Sequence, residues 1–228
     1  MLSEIEKATE KRSNQRRILS KFVDLPVTLL IKCGVTPNML SFFGFACSIT
    51  VAFLLSMGGL HFPFSIAWII PFIMFWAGAF DVFDGEVARR TGSISKSGAF
   101  LDSNLDRLSD AAIILGLALG NFLHFIFGYI IIFLIIMISY IRARAENEGI
   151  DMKGVGFMER AERLIILWFA FIAEYWIYFL SNLFYGAPFE LFFPIFALIF
   201  TGLLTLTIAQ RLIFTFKSLS KIETHDKN

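Results

Sequence analysis

Residues 111–141 read AAIILGLALGNFLHFIFGYIIIFLIIMISYI, 31 positions without Asp, Glu, Lys or Arg. One bilayer crossing takes about 20 helical residues, so this stretch is long for one span and short for two. The flanking basic residues decide between them. As a single helix it would put the loop carrying Arg89, Arg90, Lys96 and Arg107 across the membrane from the loop carrying Arg142, Arg144, Lys153, Arg160 and Arg163. Two helices turning near Gly120 and Asn121 bring both loops to one side, as the positive-inside rule requires. A third span ending near Gly120 must then begin near Gly98 to Asp102, and it carries Asp102, Asp106 and Asp110.

The rest of the chain falls into place around that hairpin. Cys33 to Phe80 is a 48-residue run without acidic or basic side chains, room for two spans at Met39–Met57 and Phe64–Phe80, separated by Gly58, Gly59 and Pro63. Leu164–Asn182 and Leu191–Gln210 complete six. The basic residues then number seven before the first span, four between the second and third, five between the fourth and fifth and four from Arg211 onward, which exhausts the complement of 20. The opposite-side turns, Gly58–Phe62, Gly120–Leu123 and Leu183–Glu190, have none, so both termini are expected in the cytoplasm and the protein in the cell membrane as a multi-pass chain. Ile18–Ile31 has the composition of a helix lying in the interface. The expected organisation is therefore all-α: an N-terminal interfacial segment over 1–35, a six-helix membrane domain over 36–216 and a cytoplasmic tail over 217–228.

Composition agrees. Of the 228 residues, 57% are hydrophobic, 28 are Phe, and only 17% are charged, against roughly 25% in ordinary soluble domains. That excludes a soluble single domain and a disordered chain. Two cysteines, Cys33 and Cys47, exclude a disulfide scaffold and read as reduced packing residues.

The chemistry lies where the second span meets the third. On a continuing helix Asp81, Asp84 and Ala88 share a face. After a turn at Thr91-Gly92-Ser93, Gly98, Asp102 and Asp106 recur every four residues and share another. Two antiparallel helices can thus aim four carboxylates at one another. A carboxylate at membrane depth costs at least ~2.5 kcal/mol, so such acids usually face a cavity and carry function. Like charges at close range also raise each other's pKa, and cations are the remedy. All-oxygen ligands select Mg²⁺, Mn²⁺ or Ca²⁺, and two such ions about 4 Å apart clamp the oxygens of a phosphoryl displacement. Gly85, Ala88 and Gly98 leave room for a substrate to approach. The plain alternative pairs each acid with Arg89, Arg90, Lys96 or Arg107 in a solvated loop, which does not account for four acids at face-sharing spacings.

Asp81-x2-Asp84-Gly85-x2-Ala88-Arg89-x8-Gly98-x3-Asp102-x3-Asp106 resembles, at every fixed position, the signature of the CDP-alcohol phosphatidyltransferases, and Thr36-Pro37-Asn38 before the first span is similar as well. The resemblance implies a membrane enzyme, usually a homodimer, that moves a phosphatidyl-type group from a CDP-linked lipid to an alcohol and releases CMP, with no nucleic-acid partner. By that likeness Asp81, Asp84, Asp102 and Asp106 bind two divalent ions, Mg²⁺ or Mn²⁺. Asp106 also takes the proton from the attacking hydroxyl, and Asn38, Asp84, Gly85, Ala88, Arg89, Gly98 and Asp102 bind CDP.

The acceptor is to be read outside the signature. Arginine forks bind phosphate bidentately, and the segments around Ser139–Glu146 and Glu159–Arg163 resemble the phosphatidylinositol phosphate and archaetidylinositol phosphate synthases, whose acceptor is inositol phosphate. The matching phosphate-binding positions are Arg142, Arg160 and Arg211. Basic residues also flank helix ends for topology alone. Glycerol phosphate, serine or CDP-inositol with inositol phosphate are alternatives within the family, and a divalent-cation transporter is the alternative outside it. Glu174, inside the fifth span, has no functional reading. His61 and His124 read as interfacial packing, Tyr175, Trp176 and Tyr178 as an interface belt, and Pro71 and Pro194 as helix kinks.

Overall fold

The computed structural model describes residues 23–225. Among them every regular element is helical: α1 (23–32), α2 (Pro37–Ser56), a 3-10 turn (Gly59–His61), α3 (Phe64–Ala67), α4 (Ile69–Thr91), α5 (Lys96–Leu119), α6 (Phe125–Asn147), α7 (Arg160–Tyr185) and α8 (Phe192–His225). Five stretches are long and apolar enough to cross a membrane: Pro37–Ser56, Ser65–Thr91, Phe125–Asn147, Arg160–Tyr185 and Phe192–Ser220. The chain is an all-α membrane protein. The sixth long helix, α5, carries Lys96, Asp102, Asp106, Arg107 and Asp110 and is not among the five.

Local chemistry sets the helix ends around the acidic segment. Thr36 caps α2 by accepting a hydrogen bond from the Met39 amide, with Pro37 at the first helical position, where its missing N–H costs nothing. Gly92 ends α4 with φ of 66°, a left-handed conformation glycine adopts freely. Ser95 then caps α5 by accepting from the Gly98 amide at 3.0 Å. The apolar run 111–141 divides between α5 and α6, with Gly120 and Asn121 in the turn. His124 caps α6 through Nδ1, which accepts from the Ile126 amide at 3.3 Å.

Between helices in lipid, small residues let backbones approach. α2 lies against both α4 and α5. A Cβ at Gly44 would stand 3.3 Å from the Ala77 carbonyl of α4, and a Cβ at Gly116 of α5 would fall 2.8 Å from the Ala52 Cα of α2. α6 packs on α5 and α8, and α7 on α4 and α8. The shared core includes Ile113, Ile114, Leu117, Ile135, Phe171 and Phe200. α5 and α7 are joined by a buried ion pair, Arg163 Nη2 to Asp110 Oδ2 at 2.7 Å, with Arg163 Nη1 also donating to the Met158 carbonyl.

Several details differ from the sequence reading. Pro194 sits in the first turn of α8, where the amide has no intrahelical acceptor, so it starts that helix. Pro71 lies just past the interruption at Trp68 between α3 and α4, within the apolar stretch Ser65–Thr91, and its missing N–H leaves the Ala67 carbonyl without that helical bond. α8 continues through the expected start of the tail at 217 as far as His225. Tyr175 is buried against Trp68, ring centroids 4.8 Å apart, and so belongs to the interior, not to a belt. His61 reaches into the bundle: Nε2 lies 2.7 Å from Oε1 of buried Glu174, and its ring stacks on Tyr178 with centroids 3.9 Å apart. Of the interfacial segment expected at Ile18–Ile31, residues 18–22 lie outside the described residues. The described part buries Val27 beside Leu40 and Val87, exposes Leu25 and Leu29, and is tied to α4 by an Asp24–Arg90 ion pair.

Gly116→Val should force α2 and α5 apart and destabilise the protein by about 1–3 kcal/mol, read as a lower thermal transition in detergent. Breaking the buried pair with Arg163→Met should cost about 3–5 kcal/mol because Asp110 is left charged and unpaired, whereas adding Asp110→Leu should recover most of the loss. A double variant no more stable than the single one would show that the pair contributes more than mutual neutralisation.

Candidate active site

The end of α4 and the start of α5 meet at the acids. One carboxylate oxygen from each of Asp81, Asp102 and Asp106 lies within 4.8 Å of the other two, and no histidine or cysteine belongs to the group. This donor set, three hard oxygens converging from two helices, fits a divalent cation of the Mg²⁺ or Mn²⁺ kind. Asp84, the fourth expected ligand, is outside that tightest group. It is buried on the neighbouring face of α4, where its Oδ2 accepts a hydrogen bond from the Ser41 hydroxyl of α2 at 2.7 Å.

Asp84 and Asp102 stand at a partition between two cavities. The first, about 250 Å³, opens between the N-terminal end of α2, the C-terminal end of α4 and the start of α5. Its lining includes all seven positions expected to bind CDP: Asn38, Asp84, Gly85, Ala88, Arg89, Gly98 and Asp102. A side chain at Gly98 would stand 3.0 Å from Ser95 Oγ and 3.4 Å from Asn38 Oδ1, so glycine there keeps the floor open. Arg89 is held beside the cavity by Glu86, whose Oε2 accepts from Nε at 3.0 Å and Nη2 at 2.7 Å. The pairing of the Arg89 and Arg90 side chains is thus with Glu86 and Asp24, and the signature aspartates face one another, Ser41 of α2 and Arg160 of α7.

The second cavity, about 770 Å³, runs between the acids, the end of α6, the start of α7 and Arg211 of α8. Arg142, Arg160 and Arg211 all line it, together with Arg107 and Arg163. The three expected arginines differ in their bonding. Arg160, on the first turn of α7, reaches the acids directly, with Nη1 2.5 Å from Asp81 Oδ1 and Nη2 3.0 Å from Asp106 Oδ1. Arg142 projects from α6 with its Nε on Glu146 Oε1 at 2.9 Å. Arg211 is buried and spends Nε on the Val155 carbonyl at 2.9 Å and Nη1 on the Ile138 carbonyl at 2.7 Å, so it also ties the α6–α7 loop to α8.

Sequence reasoning passed over Ser41, Arg163 and the loop anchors. Ser41 follows Asn38 by three residues, one helical face, a usable signal. Arg163 and Asp110 lie three and four residues beyond Arg160 and Asp106, the same faces again. The bonds from the Phe157 amide to Gln210 Oε1 (2.9 Å) and from the Met158 amide to Thr207 Oγ1 (3.1 Å) join residues about 50 positions apart and leave no local sequence signal.

The sequence model of the CDP-alcohol phosphatidyltransferase family matches residues 34–215. An archaetidylinositol phosphate synthase of Pyrococcus horikoshii is 38% identical over 142 residues, 62% of this chain and 71% of that one. A phosphatidylinositol phosphate synthase of Mycobacterium bovis is 37% identical over 145 residues, 60% of this chain and 63% of that one, a little under two-thirds of its length. The fold is similar to crystal structures of the Mycobacterium tuberculosis phosphatidylinositol phosphate synthase. With CDP-DAG bound, that structure superposes with a TM-score of 0.68 at 28% identity over 86% of this chain and 94% of its own. In complex with manganese and citrate the TM-score is also 0.68, at 29% identity over 85% and 88%. Signature and fold agree, and the chain belongs to the CDP-alcohol phosphatidyltransferase family of transferases.

Proposed function

We propose that this protein transfers a phosphatidyl-type group, diacylglycerol phosphate or archaeol phosphate, from a CDP-linked lipid to a hydroxyl of inositol phosphate and releases CMP. One observation carries the reading: the acids stand between a cavity lined by the signature residues and a larger one lined by arginines. The CDP-DAG and manganese complexes of the mycobacterial relative and the names of the relatives support it.

In this reading Asn38, Gly85, Ala88, Arg89 and Gly98 seat the CDP end in the smaller cavity, with the lipid-side phosphorus facing the acids. Asp81, Asp84, Asp102 and Asp106 hold two Mg²⁺ ions, with Mn²⁺ as a substitute; once bound, these stabilise the negative charge that develops on the diphosphate. Arg142, Arg160 and Arg211 present donors to the phosphate of the acceptor, positioning its hydroxyl. Asp106 accepts the hydroxyl proton as the oxygen bonds to the lipid-side phosphorus. The bond from that phosphorus to the bridging oxygen breaks, and the oxygen departs with CMP. In the same reading the basic loops favour the cytoplasmic face for this site and both termini, with α5 as a sixth crossing.

The test is CMP release by purified protein with CDP-diacylglycerol or CDP-archaeol and Mg²⁺, comparing inositol 1-phosphate, free inositol, glycerol 3-phosphate and serine. Release with inositol 1-phosphate alone is the expected result; a different acceptor would keep the acid site and discard the arginine assignment. Asp106→Asn should lower turnover at least about 100-fold while the CDP-lipid still binds, and full activity in that variant would sink the proposed proton transfer. Arg142→Ala should raise the KM for inositol 1-phosphate about tenfold or more, as loss of a charge-assisted bond does, and leave the KM for the CDP-lipid within about twofold.

A further inference from the structure

Two kinds of positive group claim the same carboxylates. Arg160 places one guanidinium nitrogen on Asp81 Oδ1 and another on Asp106 Oδ1, and these two carboxylates, with Asp102, form the group able to hold a cation. An oxygen bonded in an arginine fork has its best lone-pair direction occupied, and a second positive charge beside it is repelled. The guanidinium also lies in the wall of the larger cavity, alongside Arg142 and Arg211, so rotation of its own side chain carries it from the acids towards a ligand there.

The fold permits that movement without releasing α7. One helical turn further on, Arg163 and Asp110 form a second pair, 2.7 Å long and buried at both ends, which fastens α7 to α5 independently of Arg160. Arg163 is also anchored at the Met158 carbonyl, and Met158 is held by Thr207 of α8. The inner pair is a fixed strut. The outer one is exchangeable.

We propose that Arg160 is an exchangeable internal counter-ion: a divalent cation displaces its fork from Asp81 and Asp106, and the freed fork turns to the anionic group of the acceptor. This rests on the metal and acceptor assignments above and adds a coupling between them. Linkage is reciprocal: the cation raises the site's affinity for the anion, and the anion raises its affinity for the cation. Acceptor capture before the cation is in place is thereby disfavoured, since the Arg160 fork is still engaged with carboxylates.

Mn²⁺ binding tests this without turnover. Full-length protein in detergent is titrated with Mn²⁺ and free ion is read by electron paramagnetic resonance, for the wild type, Arg160→Gln and Arg142→Gln. Exchange predicts that Arg160→Gln binds Mn²⁺ about tenfold more tightly than the wild type, within the usual range of coupling. Arg142→Gln, which removes an equal charge from the same cavity without touching the acids, should gain less than about threefold, the screened effect of a more distant charge. Equal gains in the two variants would reduce the effect to net charge and overturn the exchange, as would unchanged or weaker binding in Arg160→Gln. In a second arm, Mn²⁺ should raise the affinity of the wild type for sulfate, the probe for the acceptor's anionic group, by a similar factor, and have no such effect in Arg160→Gln; a sulfate affinity indifferent to Mn²⁺ also overturns it. If Arg160→Gln does not fold, Arg160→Lys, which keeps the charge and loses the fork, should still tighten Mn²⁺ binding, by a smaller factor. Absence of a strong Mn²⁺ site in the wild type and in every variant would overturn the metal assignment itself, a result separable from the others.

Discussion

Asp81, Asp102 and Asp106 crowd three carboxylates onto helices whose other faces are core or exposed apolar side chains, and negative charge at that density is stable only beside positive charge. Much of the architecture answers that requirement. The arginine that pairs with two of the acids, Arg160, is carried by α7, whose first turn lies over the α4–α5 hairpin, and the cavity between them is bounded by both signs of charge. An apolar bundle alone would have no reason to hold that gap open.

The small residues serve the same end. α2 touches both acid-bearing helices along its length because glycines on α2 and α5 remove the side chains that would separate them. This close approach sets Ser41 against Asp84 and Asn38 beside Gly98. Backbone contact in the apolar layer thereby fixes polar geometry at the edge. On the other side of the cavity the long α6–α7 loop is fastened by side chains of α8, Thr207, Gln210 and Arg211. Arg211 therefore contributes to the shape of the arginine wall as well as to its charge.

At the opposite end of the bundle, His61 and Glu174 show a different way of managing a buried acid. A turn residue reaches down to an otherwise isolated carboxylate, and the stacked ring of Tyr178 fixes the imidazole. A lone glutamate within a span has no functional reading from sequence; in the structure it is a tie between the 3-10 turn and α7.

What the sequence by itself determined is what periodicity and charge counting can carry. The run at 111–141 splits at Gly120 and Asn121 because basic loops belong on one side, and Asp81 and Asp84, like Asp102 and Asp106, share faces because a helix repeats every 3.6 residues. The turn at Gly92 was equally local. Only the tertiary structure decided which face meets which: that Asp84 goes to Ser41 while its three neighbours converge, that Arg160 touches the acids while Arg142 does not, and that Arg163 pairs with Asp110 across the bundle. Local spacing fixes a side chain's direction from its own helix, but contacts between residues 40 or more positions apart depend on how whole helices pack, and no window of sequence contains that.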